Sequence, residues 1–243
     1  MAQMFKDEKA YPDNEARKNF VFLAYPYSPP IALEDYRAVT KQIEDELPVR
    51  LWFFLDELTT NELMRKVWRA ILRSNVGVFD ISGGNPNVAL ELGLALGIDK
   101  SCISLLHTGN DNPLGRADLG YSERIEYSSA ATLKQGLLRV LRSKCQGLRD
   151  INTLSYELIS DAFPFGRDEL EKRLLQTVNL VFKKRKTTRD EVRKIFDNND
   201  SLAGTVLNGL RAKGVLTPEG ARRHAKWVFG PLWVVHDHEV SGE

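Results

Sequence analysis

The stretch of this chain best equipped for chemistry runs from Asp80 to Ala95 and reads D-I-S-G-G-N-P-N-V-A-L-E-L-G-L-A. An acid closes a short apolar run, a glycine turn follows, and an apolar helix opens behind Asn85, Pro86 and Asn87. Either asparagine is placed to cap that helix, and Pro86 suits its first turn, where a missing N–H costs nothing. The N–H groups and positive dipole of such a helix start can receive a phosphate. Glu91 is the one charged side chain in the apolar segment Val88–Ile98. That segment is apolar nearly all round, so it is expected to be buried between sheet and neighbouring chain. A carboxylate buried there without a partner is costly, so Glu91 needs either a partner or a chemical task. Gly93 and Gly97 each cost about 1 kcal/mol relative to Ala inside a helix and suggest close approach of another backbone, a subunit or a ligand.

These residues need a frame that holds them at one edge. Phe20–Tyr27, Val49–Asp56, Val76–Ser82 and Ser101–His107 are short apolar runs of the kind a parallel sheet buries on both faces. Arg124–Tyr127 suits a fifth strand, and helical stretches fall at about 33–46, 61–74, 87–98 and 130–145. Alternating strand and helix predicts an α/β fold, a flavodoxin-like doubly wound parallel sheet of about five strands. The strand ends then bring polar groups to one edge: Tyr25 and Tyr27, Asp56, Asp80 and Ser82, and His107 with Thr108. Such an edge can hold a ribose and a base, with a tyrosine stacked on the base and carboxylates on the sugar hydroxyls. Plainer roles are open as well: Asp80 as a cap of its turn, Asp56 as a turn residue, the tyrosines as sheet-edge aromatics, His107 as a surface or loop residue.

At these positions the chain resembles the TIR-like, nucleoside 2-deoxyribosyltransferase-like superfamily. The resemblance is carried by F-V-F-L-A-Y-P-Y-S at Phe20–Ser28, by the N-P-N-V-x-x-E-L-G-x-A string at Asn85–Ala95, and by D-L-G-Y-S-E-R-I-E-Y at Asp118–Tyr127; it spans about residues 19–145. It implies that Glu91 is the catalytic carboxylate, attacking or stabilising the anomeric carbon of an N-glycosidic bond. It also implies that Asp80 belongs to the sugar-binding set; from their places at the strand ends and in the turn, Tyr25, Tyr27, Asp56, Ser82, Asn85 and Asn87 are the other candidate substrate-binding residues. The turn reads S-G-G-N-P-N where the transferases have D-S-G-T. That favours the branch cleaving NAD or another nucleotide, often in bacterial anti-phage defence. Breaking the base–ribose bond builds positive charge on the sugar ring, which a carboxylate stabilises or captures as a glycosyl-enzyme. NAD or a nucleotide is then the substrate, and no resident cofactor is implied.

After Gln146-Gly147 the alternation stops. Residues 168–182 are amphipathic, Thr187 or Thr188 caps a helix to about Phe196, and Ser201 starts another that ends at Gly214. A turn at Thr217–Gly220 precedes a segment rich in Trp, Phe and Val, read as a hairpin. Helices followed by a hairpin predict a small winged helix-turn-helix domain over 168–243, after a nucleotide-site domain over 1–147 and a linker at 148–167. Lys183, Lys184, Arg185, Lys186 and Arg189 form the densest basic run; Asn208, Arg211 and Lys213 lie on the expected recognition helix, and Arg222 and Arg223 near the wing. Such groups suit phosphate contacts, or merely a solvated helix end. The domain pairing resembles the effectors of some retron systems, which implies a partner such as a reverse transcriptase bound to its DNA. The alternative is a nucleotide-sensing, DNA-binding regulator without chemistry.

The 243 residues carry a net charge of +1, so no global field singles out nucleic acid or membrane. Two cysteines, Cys102 and Cys145, have neither metal spacing nor a disulfide pattern. With a polar N-terminus and no long apolar run, the expectation is a cytoplasmic protein without a membrane partner, acting as a homo-oligomer or within a larger complex.

Overall fold

The computed structural model describes residues 15–26, 28–52, 60–109, 122–158, 164, 166–220 and 225–233. Tyr27, Asp56, Arg222 and Arg223 lie outside these. The chain divides into two compact units, chiefly between Cys145 and Gln146, with the short stretch Asp45–Pro48 grouped with the second.

The first unit is α/β. Its strands are β1 (Phe20–Ala24), β2 (Arg50–Trp52), β3 (Val76–Asp80), β4 (Cys102–His107) and β5 (Ser122–Tyr127), and its helices are α1 (Leu33–Glu46), α2 (Thr60–Arg73), α3 (Pro86–Leu96) and α4 (Ala130–Lys144). The sheet is parallel throughout, in the order β2-β1-β3-β4-β5. This is the doubly wound order whose topological switch lies between β1 and β3. All five residues of β1 and of β3 are buried, which explains their uninterrupted apolar runs. On one face Phe22, Phe79 and Ile81 pack with Ile71 of α2 and with Val88, Leu92 and Ala95 of α3. Alternation along β3 therefore turns Asp80 to the opposite face. There Tyr36 of α1 meets Tyr127 of β5, and Gly136 lets α4 close on Ile125, whose methyl would collide with any larger side chain.

The second unit begins earlier than the sequence suggests. Of the expected linker at 148–167, residues 148–158 belong to a helix, α5 (Gln146–Leu158). Leu148, Ile151 and Leu154 recur every third residue, and Ile151 and Leu154 sit in the second unit's core with Leu174, Val178, Phe196, Val206, Leu210 and Trp233. There follow α6 (Arg167–Lys184), a short β6 (Thr187–Thr188), α7 (Arg189–Ile195), α8 (Asp200–Ala212), β7 (Leu216–Glu219), β8 (Lys226–Phe229) and a 3-10 turn at Pro231–Trp233. The three strands form an antiparallel sheet ordered β6-β8-β7. Thr188, not Thr187, caps α7, in a capping box with Glu191. Residues 217–219, expected as a turn, are strand: β7 is an edge, where Pro218 lacks no ladder partner. Gly214 ends α8 in the left-handed conformation, φ 68°, and Gly230 crosses its carbonyl so closely that a Cβ there would collide.

Because Leu154 of α5 is part of this second core, Leu154→Ala destabilises it by about 2–4 kcal/mol, as an unfilled cavity in a close-packed core does. Urea unfolding followed by Trp fluorescence measures the loss.

Candidate functional site

The polar edge of the sheet is organised by a buried acid. Asp80 is fully inaccessible, and its carboxylate is enclosed by protein donors. Ser82 N–H donates to Oδ1 at 3.0 Å, and the Tyr127 hydroxyl donates to Oδ2 at 2.6 Å. The Tyr36 hydroxyl lies 2.8 Å from that of Tyr127, and Tyr25 stacks on Tyr36 with ring centroids 5.4 Å apart. Ser82 Oγ accepts the His107 N–H at 2.7 Å, which fastens the exit of β3 to the end of β4. Burial pushes the Asp80 carboxyl above the usual range, while the Ser82 and Tyr127 hydrogen bonds pull it back.

Asp80 and Ser82, expected among the substrate ligands, thus have their polar atoms engaged inside the protein. They shape the turn that leads to α3. Tyr25 is half-buried with one face covered by Tyr36, so a base stacked on it would have to use the other. Asn85 is the helix cap: its side chain accepts Asn87 N–H at 2.9 Å and Val88 N–H at 3.4 Å. Ala89 N–H donates to the Asn85 carbonyl, and Pro86 has no N–H to offer. The start of α3, expected to receive a phosphate, is therefore satisfied from within. Asn87 is exposed beside it, and Gly84 completes the turn at φ 61°.

Glu91 occupies the second turn of α3 and is half-buried. No described residue offers it a hydrogen bond or an ion pair, and desolvation alone pushes its carboxyl up to about 7. Two glutamate-containing surroundings could hardly differ more: Glu191 of α7, bonded by Lys184 and Thr188, is held down at about 2. Glu91 and the Asp80 cluster are not side by side. α3 packs on the sheet face opposite that of Asp80. The outward side of α3 is more open than its apolar sequence suggests. Leu90 is 48% exposed, and nothing lies within 4 Å of where a Cβ on Gly93 would stand. The glycines of α3 accommodate no other part of this chain among the described residues.

Sequence reasoning missed Tyr36, Tyr127 and the part played by His107. No local pattern marks them, because their partners lie far along the chain and only the strand order brings them together. In the second unit, several of the expected phosphate contacts are already paired. Lys184 bonds Glu191 at 2.6 Å, Lys213 bonds Glu157 at 2.6 Å, and Arg189 grips Asp200 through two nitrogens at 2.9 and 2.8 Å. Lys183 and Lys186 are exposed, as are Asn208 and Arg211 on α8, and Arg185 stands in the left-handed region at φ 64°.

No protein-family model matches the chain, and neither does any curated protein. Among the described residues no helix is long and apolar enough to cross a membrane, and no group of acids, histidines and cysteines could hold a metal ion.

Two outcomes follow from the contrast between the acids. Tyr127→Phe removes a donor from a buried carboxylate and destabilises the first unit by about 1–3 kcal/mol, read by urea unfolding. Glu91→Gln does the reverse. Its raised carboxyl pKa means that wild type loses stability as pH climbs from 4.5, the ordinary value, to about 7. The Gln variant is therefore as stable as wild type near pH 4 and pulls ahead by on the order of 2 kcal/mol above pH 7. Unfolding at several pH values tests this; a gap that is constant with pH would refute the assignment.

Proposed function

We propose that the first unit cleaves the N-glycosidic bond of NAD or a related nucleotide, with Glu91 as the reacting carboxylate. One observation carries the reading: a carboxylate without a partner among the described residues, half-buried in the second turn of the helix that follows β3 in a doubly wound sheet. A structural acid would have a partner, as Asp80 and Glu191 do. In the reaction Glu91 approaches C1′ as the C1′–N bond breaks and its electron pair leaves with the base. The carboxylate either stabilises the oxocarbenium or bonds to it, and water then delivers the free sugar. Nicotinamide departs neutral from a cationic ring, so little acid assistance is required.

The second unit we read as a winged helix that tethers or regulates the first. The order helix, short strand, two helices and antiparallel hairpin supports this, with β6 pairing onto the hairpin through β8. Its partner on this reading is a nucleoprotein, such as a reverse transcriptase with its DNA, in an anti-phage system. The acid partners of Lys184, Arg189 and Lys213 leave fewer cations for the operator contacts that a purely DNA-binding, nucleotide-sensing regulator needs.

Incubation with NAD, NADP and a nucleotide panel, with free base resolved by chromatography, tests the enzyme reading. Wild type, alone or with its partner, releases base and Glu91→Gln releases none. Because the carboxylate form is the reactive one, kcat/KM rises with pH through about 7 and levels off above it. Turnover that survives the substitution would refute the assignment, whereas ligand binding without any turnover would favour the sensor.

A further inference from the structure

His107 is the one imidazole at the carboxyl edge among the described residues, and the fold holds it from three sides. Its backbone N–H donates to Ser82 Oγ at 2.7 Å. Its ring packs edge-on against Tyr127, with centroids 5.2 Å apart and planes 79° apart. Its Nδ1 accepts the Gly109 N–H at 3.2 Å. A backbone N–H can only donate, so Nδ1 carries no proton and the ring's N–H is at Nε2. No described residue takes that hydrogen, and the side chain is partly open to solvent.

The adjoining turn sharpens what this donor is for. Asn85 uses up the first N–H groups of α3, so the helix start cannot serve a phosphate as such starts usually do. What remains beside it are the Gly83 and Asn85 N–H groups, which find no acceptor among the described residues, and His107, which Ser82 ties to the same turn. We propose that His107 is a substrate-binding residue whose Nε2–H reads a phosphate oxygen of the nucleotide. It selects phosphorylated substrates over nucleosides and takes no part in breaking the glycosidic bond. The proposal rests on the nucleotide reading of the site and names its substrate class.

Binding to the full-length Glu91→Gln chain, measured by calorimetry, tests it without turnover. The ligands are nicotinamide mononucleotide and nicotinamide riboside, and the further substitutions are His107→Gln and His107→Asn. A glutamine amide nitrogen reaches about where Nε2 sits; that of asparagine matches Nδ1 instead. The expected result is that His107→Asn weakens the mononucleotide about tenfold or more and leaves the riboside unchanged, while His107→Gln keeps most of the affinity. Equal losses for both ligands, or none, overturn the role of His107 and leave the nucleotide reading standing. If neither ligand, nor NAD, binds the chain before His107 is changed, that reading falls and takes this one with it. Melting temperatures of the two variants identify any loss that is merely unfolding.

Discussion

Burying an ionisable carboxyl at the end of a central strand commits several other elements at once. Asp80 can be fully desolvated only because donors reach it from its own turn and from β5, and because Tyr36 of α1 supports the second of these. The donors must come from elements far apart in sequence, so satisfying them fixes how α1, β3, β4 and β5 meet at the carboxyl edge. Ser82 extends the constraint to β4 through the His107 N–H. The turn after β3 then has little freedom, and with it the direction in which α3 departs and the height at which Glu91 stands. A buried polar network of this sort is costly when incomplete and specifying when complete.

Glu91 shows the opposite solution to the same electrostatic problem. It keeps partial access to solvent, takes no partner from the described residues, and accepts a carboxyl pKa near neutrality. At neutral pH it is poised between acid and base, which is the condition proton transfer and carboxylate nucleophilicity exploit. The energy this costs is carried by the apolar packing beneath α3, where Val88, Leu92 and Ala95 are buried against Phe22, Phe79 and Ile81. Apolar packing and an unpartnered carboxyl thus share one helix.

Much of the frame was legible in the chain. The four apolar runs are strands because a parallel sheet buries both faces and erases alternation, and the odd charge in an apolar helix marked Glu91. Asn85 was one of two readable caps, and only coordinates choose between it and Asn87. Three failures have physical causes. Residues 146–158 lack a capping signal at their start, so apolar residues at helical spacing are the only local mark of that helix. Thr217-Pro218-Glu219 has the composition of a turn but the place of an edge strand, where the missing proline N–H does no harm. Tyr127 and His107 have no local pattern at all, since each acquires its partners from the pairing of β3, β4 and β5.

The basic residues of the second unit make the same point about charge. Read along the chain, Lys184, Arg189 and Lys213 look like cations awaiting phosphates. In three dimensions each has found an acid: within the capping box of α7, at the first turn of α8, or on α5. Arg189 even lies over Gly204, where a Cβ would crowd its guanidinium, so α8 leaves room for the pair. Exposed pairs of this kind are worth up to about 1 kcal/mol, little enough for a phosphate to displace the acid but enough to remove the field that would steer one in from solution.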